Sequence, residues 1–200
     1  MEQARTQLRI VAGELRGRKL DCVVHEDLRP TPQRVRESLF SILGNAVPER
    51  PFFDVFAGTG ANGLEAISRG ASEAVFLELD SKLAGDIDKH VKKFQVQELA
   101  RIVRTDVYRW VERWMPPEGP TNVFISPPFA DLESRQDDLL AMIRLLMEKV
   151  QPDSTVTIQC ETGFPETKLP EAERWDVRTY GRNMLCIWVK PLSDTQPLLG

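Results

Sequence analysis

From Phe52 onward the chain alternates short apolar runs with amphipathic stretches of helical spacing. The runs are Phe52–Phe56, Ala74–Leu77, Ile102–Val103, Val123–Ile125 and Val156–Ile158, and the pattern starts helices near Gly60, Ser81, Asp106 and Leu132. Strands covered on both faces read as continuous apolar runs, so this alternation predicts an α/β fold with a mostly parallel sheet between helices. Trp175–Thr179 and Met184–Val189 flank a Tyr-Gly-Arg-Asn turn and read as a hairpin, which makes the last strand antiparallel to the rest.

Upstream, Leu8–Val24 alternates loosely and is broken by Gly13 and Gly17, as a small β-hairpin or extended arm would be. Thr31-Pro32 signals a helix start, with Thr as the cap and Pro in the first turn. Val35, Leu39, Ile42 and Leu43 then recur at helical spacing up to Gly44. The expected organisation is one structural domain: a basic extension and helix over residues 1–44, a core over 45–190 and a frayed tail over 191–200.

Two hundred residues, 42% hydrophobic and 28% charged, suit one soluble α/β domain. No apolar run approaches the roughly 20 residues of a membrane span, and the N-terminus lacks a signal-peptide core, so a cytoplasmic protein without membrane contact is expected. Cys22, Cys160 and Cys186 are odd in number, far apart and without His at ligand spacing. They read as buried reduced thiols, with neither a disulfide framework nor a metal site. His25 and His90 read as surface or packing residues. Oligomeric state is not legible, and a monomer is favoured.

A net charge of −4 argues against indiscriminate coating of nucleic acid. Even so, Arg5, Arg9, Arg16, Arg18, Lys19, Arg29, Arg34 and Arg36 all precede the first glycine-rich motif. That cluster is either an ordinary solvated surface or a local footprint for phosphates.

The Phe52–Phe56 run leads into Ala57-Gly-Thr-Gly-Ala-Asn-Gly63 and then a helix. In a parallel sheet this loop lies at the carboxyl edge, where ligands bind, and its G-x-G-x-x-G spacing admits a dinucleotide or a methyl-donor nucleoside equally. The flanks favour the second. A carboxylate at Asp54 is poorly placed beside a pyrophosphate but suits the ammonium of S-adenosylmethionine. Glu78-Leu79-Asp80, ending the next strand, can accept hydrogen bonds from ribose hydroxyls in either cofactor, although Asp80 is also a plausible helix cap.

Ser126-Pro-Pro-Phe129 follows the strand Thr121–Ile125 directly. Two prolines stop a central strand and fix a rigid backbone on the same edge as the glycine loop. Phe129 is then either a strand-end packing residue or a platform on which a base turned out of its helix can stack.

Asp54–Ala66, Ser68–Ala71, Phe76–Asp80 and the Pro-Pro-Phe segment resemble the RsmD family, bacterial methyltransferases of guanine N2 in small-subunit ribosomal RNA. Leu8–Gly13, Arg16–Leu20 and Leu28–Phe40 resemble it too, so the likeness runs from about residue 8 to 190. It implies a seven-stranded Rossmann-like methyltransferase sheet. It also implies that Asp54, Gly58 and Gly60 hold the methionine half of S-adenosylmethionine, Glu78 the ribose and Asp106 the adenine amino group, although Asp106 reads equally well as a helix cap.

One position departs from the family. Its fourth motif normally begins with Asp or Asn, whose oxygen accepts a hydrogen bond from the target amine, and Ser126 stands there instead. A hydroxyl can accept one hydrogen bond but carries no charge. Losing such an interaction lowers a rate by about 10²-fold or more if nothing replaces it.

The candidate catalytic residues are therefore Ser126, Pro127, Pro128 and Phe129. The cofactor candidates are Asp54, Phe56, Gly58, Gly60, Glu78 and Asp106, and the RNA-binding candidates are Arg9, Arg16, Arg18, Lys19, Arg29 and Arg34. The expected activity is methyl transfer to guanine N2 of ribosomal RNA or the small subunit. The alternatives are another planar nitrogen, a cofactor- and RNA-binding assembly factor with weak catalysis, and a nicotinamide-dependent oxidoreductase, for which no hydride-transfer site is evident.

Overall fold

The computed structural model describes residues 4–24 and 30–192. His25, Arg29 and the tail residues 193–200, on which some of these expectations fall, lie outside the described residues.

The chain opens with an antiparallel hairpin, β1 (Ala4–Arg9) and β2 (Lys19–Val24), with Leu8 opposite Leu20. The connecting loop is fastened to helix α2 (Ala61–Ser68), where the Val11 and Ala12 N–H groups donate to the buried Glu65 carboxylate at 2.8 and 3.1 Å. Leu15 N–H donates to Ser68 Oγ at 2.9 Å. Gly13 has φ +79°, and a Cβ there would stand 1.6 Å from the Ser68 carbonyl oxygen, so only glycine permits this approach. The loop and hairpin then bury Ile10, Leu15 and Leu20 against the domain.

Helix α1 (Gln33–Leu43) buries Val35, Leu39 and Leu43 of the expected stripe together with Phe40, while Ile42 is only partly buried. Its capping differs from the expectation. Pro32 occupies the cap position, and the Thr31 hydroxyl bonds side chains across the cleft described below instead of the helix N-terminus.

A seven-stranded sheet follows, formed by β3 (Pro51–Val55), β4 (Glu73–Glu78), β5 (Ala100–Arg104), β6 (Asn122–Ile125), β7 (Thr155–Glu161), β8 (Asp176–Tyr180) and β9 (Asn183–Val189). Its order is β5-β4-β3-β6-β7-β9-β8, with β9 antiparallel to both its neighbours. The remaining helices are α3 (Ser81–Phe94), α4 (Val107–Arg113), α5 (Phe129–Ser134) and α6 (Gln136–Lys149). The helix expected from Leu132 is thus two: a short turn directly after the prolines, and a longer helix from Gln136.

Strand alternation divides the core between two faces. Phe53, Val55, Val123, Ile125 and Ile158 pack with residues of α4 and α6, while Phe52 and Phe124 lie on the other face with α1. There Phe52 stacks with Phe40 and Phe124 at ring-centroid distances of 5.7 and 6.4 Å. Burial on both faces is why these strands read as near-continuous apolar runs, broken in β3 only by Asp54 and in Val156–Ile158 by Thr157. The three cysteines are free and buried.

The strand order reverses at β3. The chain passes from β3 to β4 on one side, while β6 flanks β3 on the other. Such a switch point opens a crevice at the carboxyl ends of the two central strands.

Candidate active site

Both motifs singled out above end at this switch point. After β3 the backbone turns sharply, with positive φ at Phe56 (63°), Gly58 (54°) and Gly60 (74°), and α2 starts at Ala61. A bulky residue in the left-handed region is strained, and such strain persists only where the surroundings fix it. At Gly60 a Cβ would also meet Ile87 Cγ1 at 2.9 Å, so space as well as conformation demands glycine. Gly63 packs its bare Cα against the Phe76 ring, where a Cβ would come within 2.2 Å of Cε1. The last two glycines of the motif therefore serve the turn and the helix packing.

The carboxylates around the loop have separate tasks. Asp54 is fully buried, and its Oδ2 accepts the Gly63 N–H at 2.9 Å while Oδ1 has no hydrogen-bond partner. Burial, with the nearby Glu78 charge as a lesser cause, pushes the Asp54 pKa up to about 7. Glu78 clasps two loops: Oε2 accepts from Gly58 N–H and Oε1 from Asp80 N–H, both at 2.8 Å. Asp80 caps α3 through the Lys82 and Leu83 N–H groups. Asp106 caps α4, its Oδ1 accepting from Tyr108 and Arg109 N–H at 2.9 and 3.4 Å, which leaves Oδ2 outside the cap.

These elements bound a cleft of about 920 Å³, within the usual range for ligand sites. Phe56, Gly58, Glu78 and Asp106 line it, as do Ser126, Pro127, Pro128 and Phe129. Two of the expected cofactor residues, Asp54 and Gly60, are not among the lining residues. Asp54 stands behind the glycine loop and holds α2, and Gly60 shapes the turn.

Ser126 begins the second wall. Its N–H donates to the Val55 carbonyl at 3.2 Å, tying the end of β6 to the end of β3. Phe129 is half-buried and packs on the core side of the sheet. Beside it, Tyr108 Oη donates to Asp131 Oδ2 at 2.6 Å, and the Arg135 guanidinium lies 3.9 Å from the Tyr108 ring centroid. Phe56 meets Tyr108 edge-on at 5.8 Å. Burial and the Asp131 carboxylate push the Tyr108 hydroxyl well above its ordinary pKa, so it stays protonated and donates. This clasp has no local signature in the sequence beyond Tyr108 following Asp106 closely.

The opposite wall carries amides and hydroxyls drawn from four segments. Asn62 Nδ2 donates to Thr31 Oγ1 at 3.1 Å, Thr31 Oγ1 donates to Gln159 Oε1 at 2.8 Å, and Gln159 Nε2 donates to Asn183 Oδ1 at 3.2 Å. All four residues line the cleft, and Arg182 stands with them. None of these five was an expected site residue, because segments so distant in sequence carry no shared local signal.

Among the basic candidates, Arg9, Arg16, Arg18, Lys19 and Arg34 are exposed. Arg34 lines a small groove with Tyr180 and Asn183 beside the main cleft. Arg36, counted in the basic cluster, is instead fully buried with its Nε 3.5 Å from Glu65 Oε2, so it holds the fold and is withdrawn from any phosphate surface. Among the described residues no group of His, Cys, Asp or Glu could hold a metal ion, and no helix is long and apolar enough to cross a membrane.

The family model described as Conserved hypothetical protein 95 matches residues 8–189. A protein of Haemophilus influenzae named Ribosomal RNA small subunit methyltransferase D is 33% identical over 175 residues, covering 86% of each chain. The chain belongs to the RsmD family. A solved structure of yhhF from Escherichia coli has a TM-score of 0.74 with this RsmD-family chain at 28% identity, covering 93% of this chain and 99% of that one. A structure of the Thermus thermophilus 16S rRNA N2-guanine methyltransferase RsmC, in complex with AdoMet and guanosine, has a TM-score of 0.70 at 18% identity, covering 95% of this chain and 51% of that one. At that identity the second likeness shows the fold alone, a Rossmann-like methyltransferase sheet.

Proposed function

We propose that this RsmD-family protein transfers a methyl group from S-adenosylmethionine to the exocyclic N2 of a guanine in small-subunit ribosomal RNA, acting as a cytoplasmic monomer. One arrangement carries the reading. At the switch point the Ser126 N–H bonds the Val55 carbonyl, so the Pro-Pro-Phe turn and the glycine loop border one cleft.

The cleft residues fit the cofactor. Leu79 is 65% exposed and lines the cleft, an apolar face suited to an adenine ring. Glu78 presents a carboxylate to ribose hydroxyls, and Asp106 Oδ2 can accept from the adenine amine. The buried Oδ1 of Asp54 has no partner within the protein, and an ammonium bound in front of the loop would favour the ionised form of this carboxyl. When bound, S-adenosylmethionine supplies a methyl group on a sulfonium, a good leaving group.

The protein's own work is positioning. Phe129 and the rigid prolines hold the base, while the Tyr108–Asp131 clasp fixes the turn that carries Phe129. The N2 electron pair forms the new C–N bond as the C–S bond breaks, and the extra proton passes to solvent afterwards. Arg9, Arg16, Arg18, Lys19, Arg29 and Arg34 are assigned to phosphates of the RNA. No metal is required by this chemistry.

The experiment is incubation of labelled S-adenosylmethionine with small subunits lacking the modification. Label recovered in the RNA is expected, and label confined to the cofactor contradicts transfer. The second reading, an assembly factor that binds cofactor and RNA with little turnover, draws on Ser126 and expects cofactor binding without label in the RNA.

A further inference from the structure

In the parallel pair β6–β7 the register sets Phe124 beside Thr157 and Ile125 beside Ile158. Continued one step beyond the paired residues, that register sets Ser126 beside Gln159 at the carboxyl edge. Both line the cleft, and Gln159 is only 8% exposed. A buried amide at a ligand site must have its orientation determined, because its two ends present opposite hydrogen-bonding characters.

The hydrogen bonds along this wall run in one sense. The Asn62 amide donates to Thr31 Oγ1, so the single hydroxyl proton of Thr31 is directed on to Gln159 Oε1. At the other end, Gln159 Nε2 donates to Asn183 Oδ1. This one-way chain engages one lone pair of Oε1 and one N–H of Nε2. A second lone pair and a second N–H remain in the plane of the amide. Guanine offers the complementary pair along one edge, the N2–H donor next to the N3 acceptor.

We infer that Gln159 is the residue that receives the target amine, its Oε1 accepting from guanine N2–H and its Nε2 donating to N3, with Ser126 beside it as a weaker second acceptor. The inference rests on the methyl-transfer reading above and deepens it. It explains how the site can orient the nucleophile although Ser126 brings no carboxylate. Thr31 and Asn183 are positioning residues that act through Gln159. A neutral amide also discriminates in a way a carboxylate does not, because it requires an acceptor beside the amine.

The test compares wild type, Gln159→Leu, Ser126→Asp and the double variant, using full-length protein and small subunits lacking the modification, with cofactor affinity measured separately by calorimetry. Gln159→Leu is expected to lower kcat by about 10²-fold at unchanged cofactor Kd, the usual effect of removing one preorganised hydrogen-bonding group. Ser126→Asp in the same chain is expected to restore much of the loss, since both side chains face the same amine. A merely structural role would weaken cofactor binding and thermal stability and would gain nothing from Ser126→Asp. Should Gln159→Leu fail to fold, Thr31→Val carries the test: it removes the proton that orients Oε1, and a lower kcat at unchanged cofactor Kd is expected. Activity of either variant within about twofold of wild type overturns the inference. Wild type that binds cofactor yet methylates nothing overturns the transfer reading and this inference with it, whereas active wild type with an equally active Gln159→Leu overturns this inference alone.

Discussion

Arg36 Nε lies 3.5 Å from Glu65 Oε2, and neither side chain has any exposed surface. Around this pair the Glu65 carboxylate also accepts from Val11 N–H, Ala12 N–H and Arg69 Nε. Arg36 in turn donates to the Thr31 and Arg9 carbonyls at 3.3 and 2.6 Å. One buried ion pair thus joins the N-terminal loop, the entry to α1 and the helix that follows the glycine loop. Removing one partner strands the other charge, which costs about 3–5 kcal/mol in buried pairs. Glu65→Ala is expected to lose stability on that scale in urea unfolding, and to expose the loop between β1 and β2 to protease. A loss below about 1 kcal/mol would contradict this role.

Asp54 makes stability depend on pH in a definite direction. Burial raises its folded pKa from 3.8 to about 7, so the folded state binds the proton more tightly than the unfolded one. Its favourable contribution is full below about pH 4 and is lost as pH rises through about 7. The stability of wild type relative to Asp54→Asn is therefore expected to fall between pH 4 and 8. A difference that stays constant across that range would show that Asp54 is already ionised in the fold.

Glu78 uses both carboxylate oxygens on backbone N–H groups of two cleft loops. An amide can offer an acceptor to only one of them and turns a donor toward the other. Glu78→Gln is expected to weaken S-adenosylmethionine binding by about 10- to 100-fold, in line with loss of a hydrogen bond to a charged group. Calorimetric titration checks this, and an unchanged Kd would remove Glu78 from the cofactor site.

The exposed arginines and Lys19 predict a salt-sensitive encounter with RNA. Each phosphate contact contributes a slope of about 0.7–0.9 in log K against log salt. Joint replacement of Arg16, Arg18 and Lys19 by Ala is expected to flatten the slope by about 2 while leaving cofactor binding unchanged. Equal slopes for the two proteins would place the RNA elsewhere.

The sheet was legible because its central strands are buried on both faces: Phe52, Phe53 and Val55 could only be an apolar run. The glycine loop and Ser126-Pro-Pro-Phe were legible for a related reason, since each is a local backbone device with a fixed place at a strand end. Arg36 misled because a sequence displays charge but not burial. Thr31 misled as well, since a residue with the composition of a helix cap was recruited by Gln159, 128 residues away. The amide wall escaped notice because Asn62, Gln159 and Asn183 meet only when α2, β7 and β9 assemble.

The identity of the methylated nucleoside decides whether this protein methylates guanine N2. Small subunits lacking the modification are treated with wild-type protein and S-adenosylmethionine, their RNA is digested to nucleosides, and the product is identified by mass spectrometry against standards. N2-methylguanosine is the expected product. A methyl group on any other atom, or none at all, contradicts that activity.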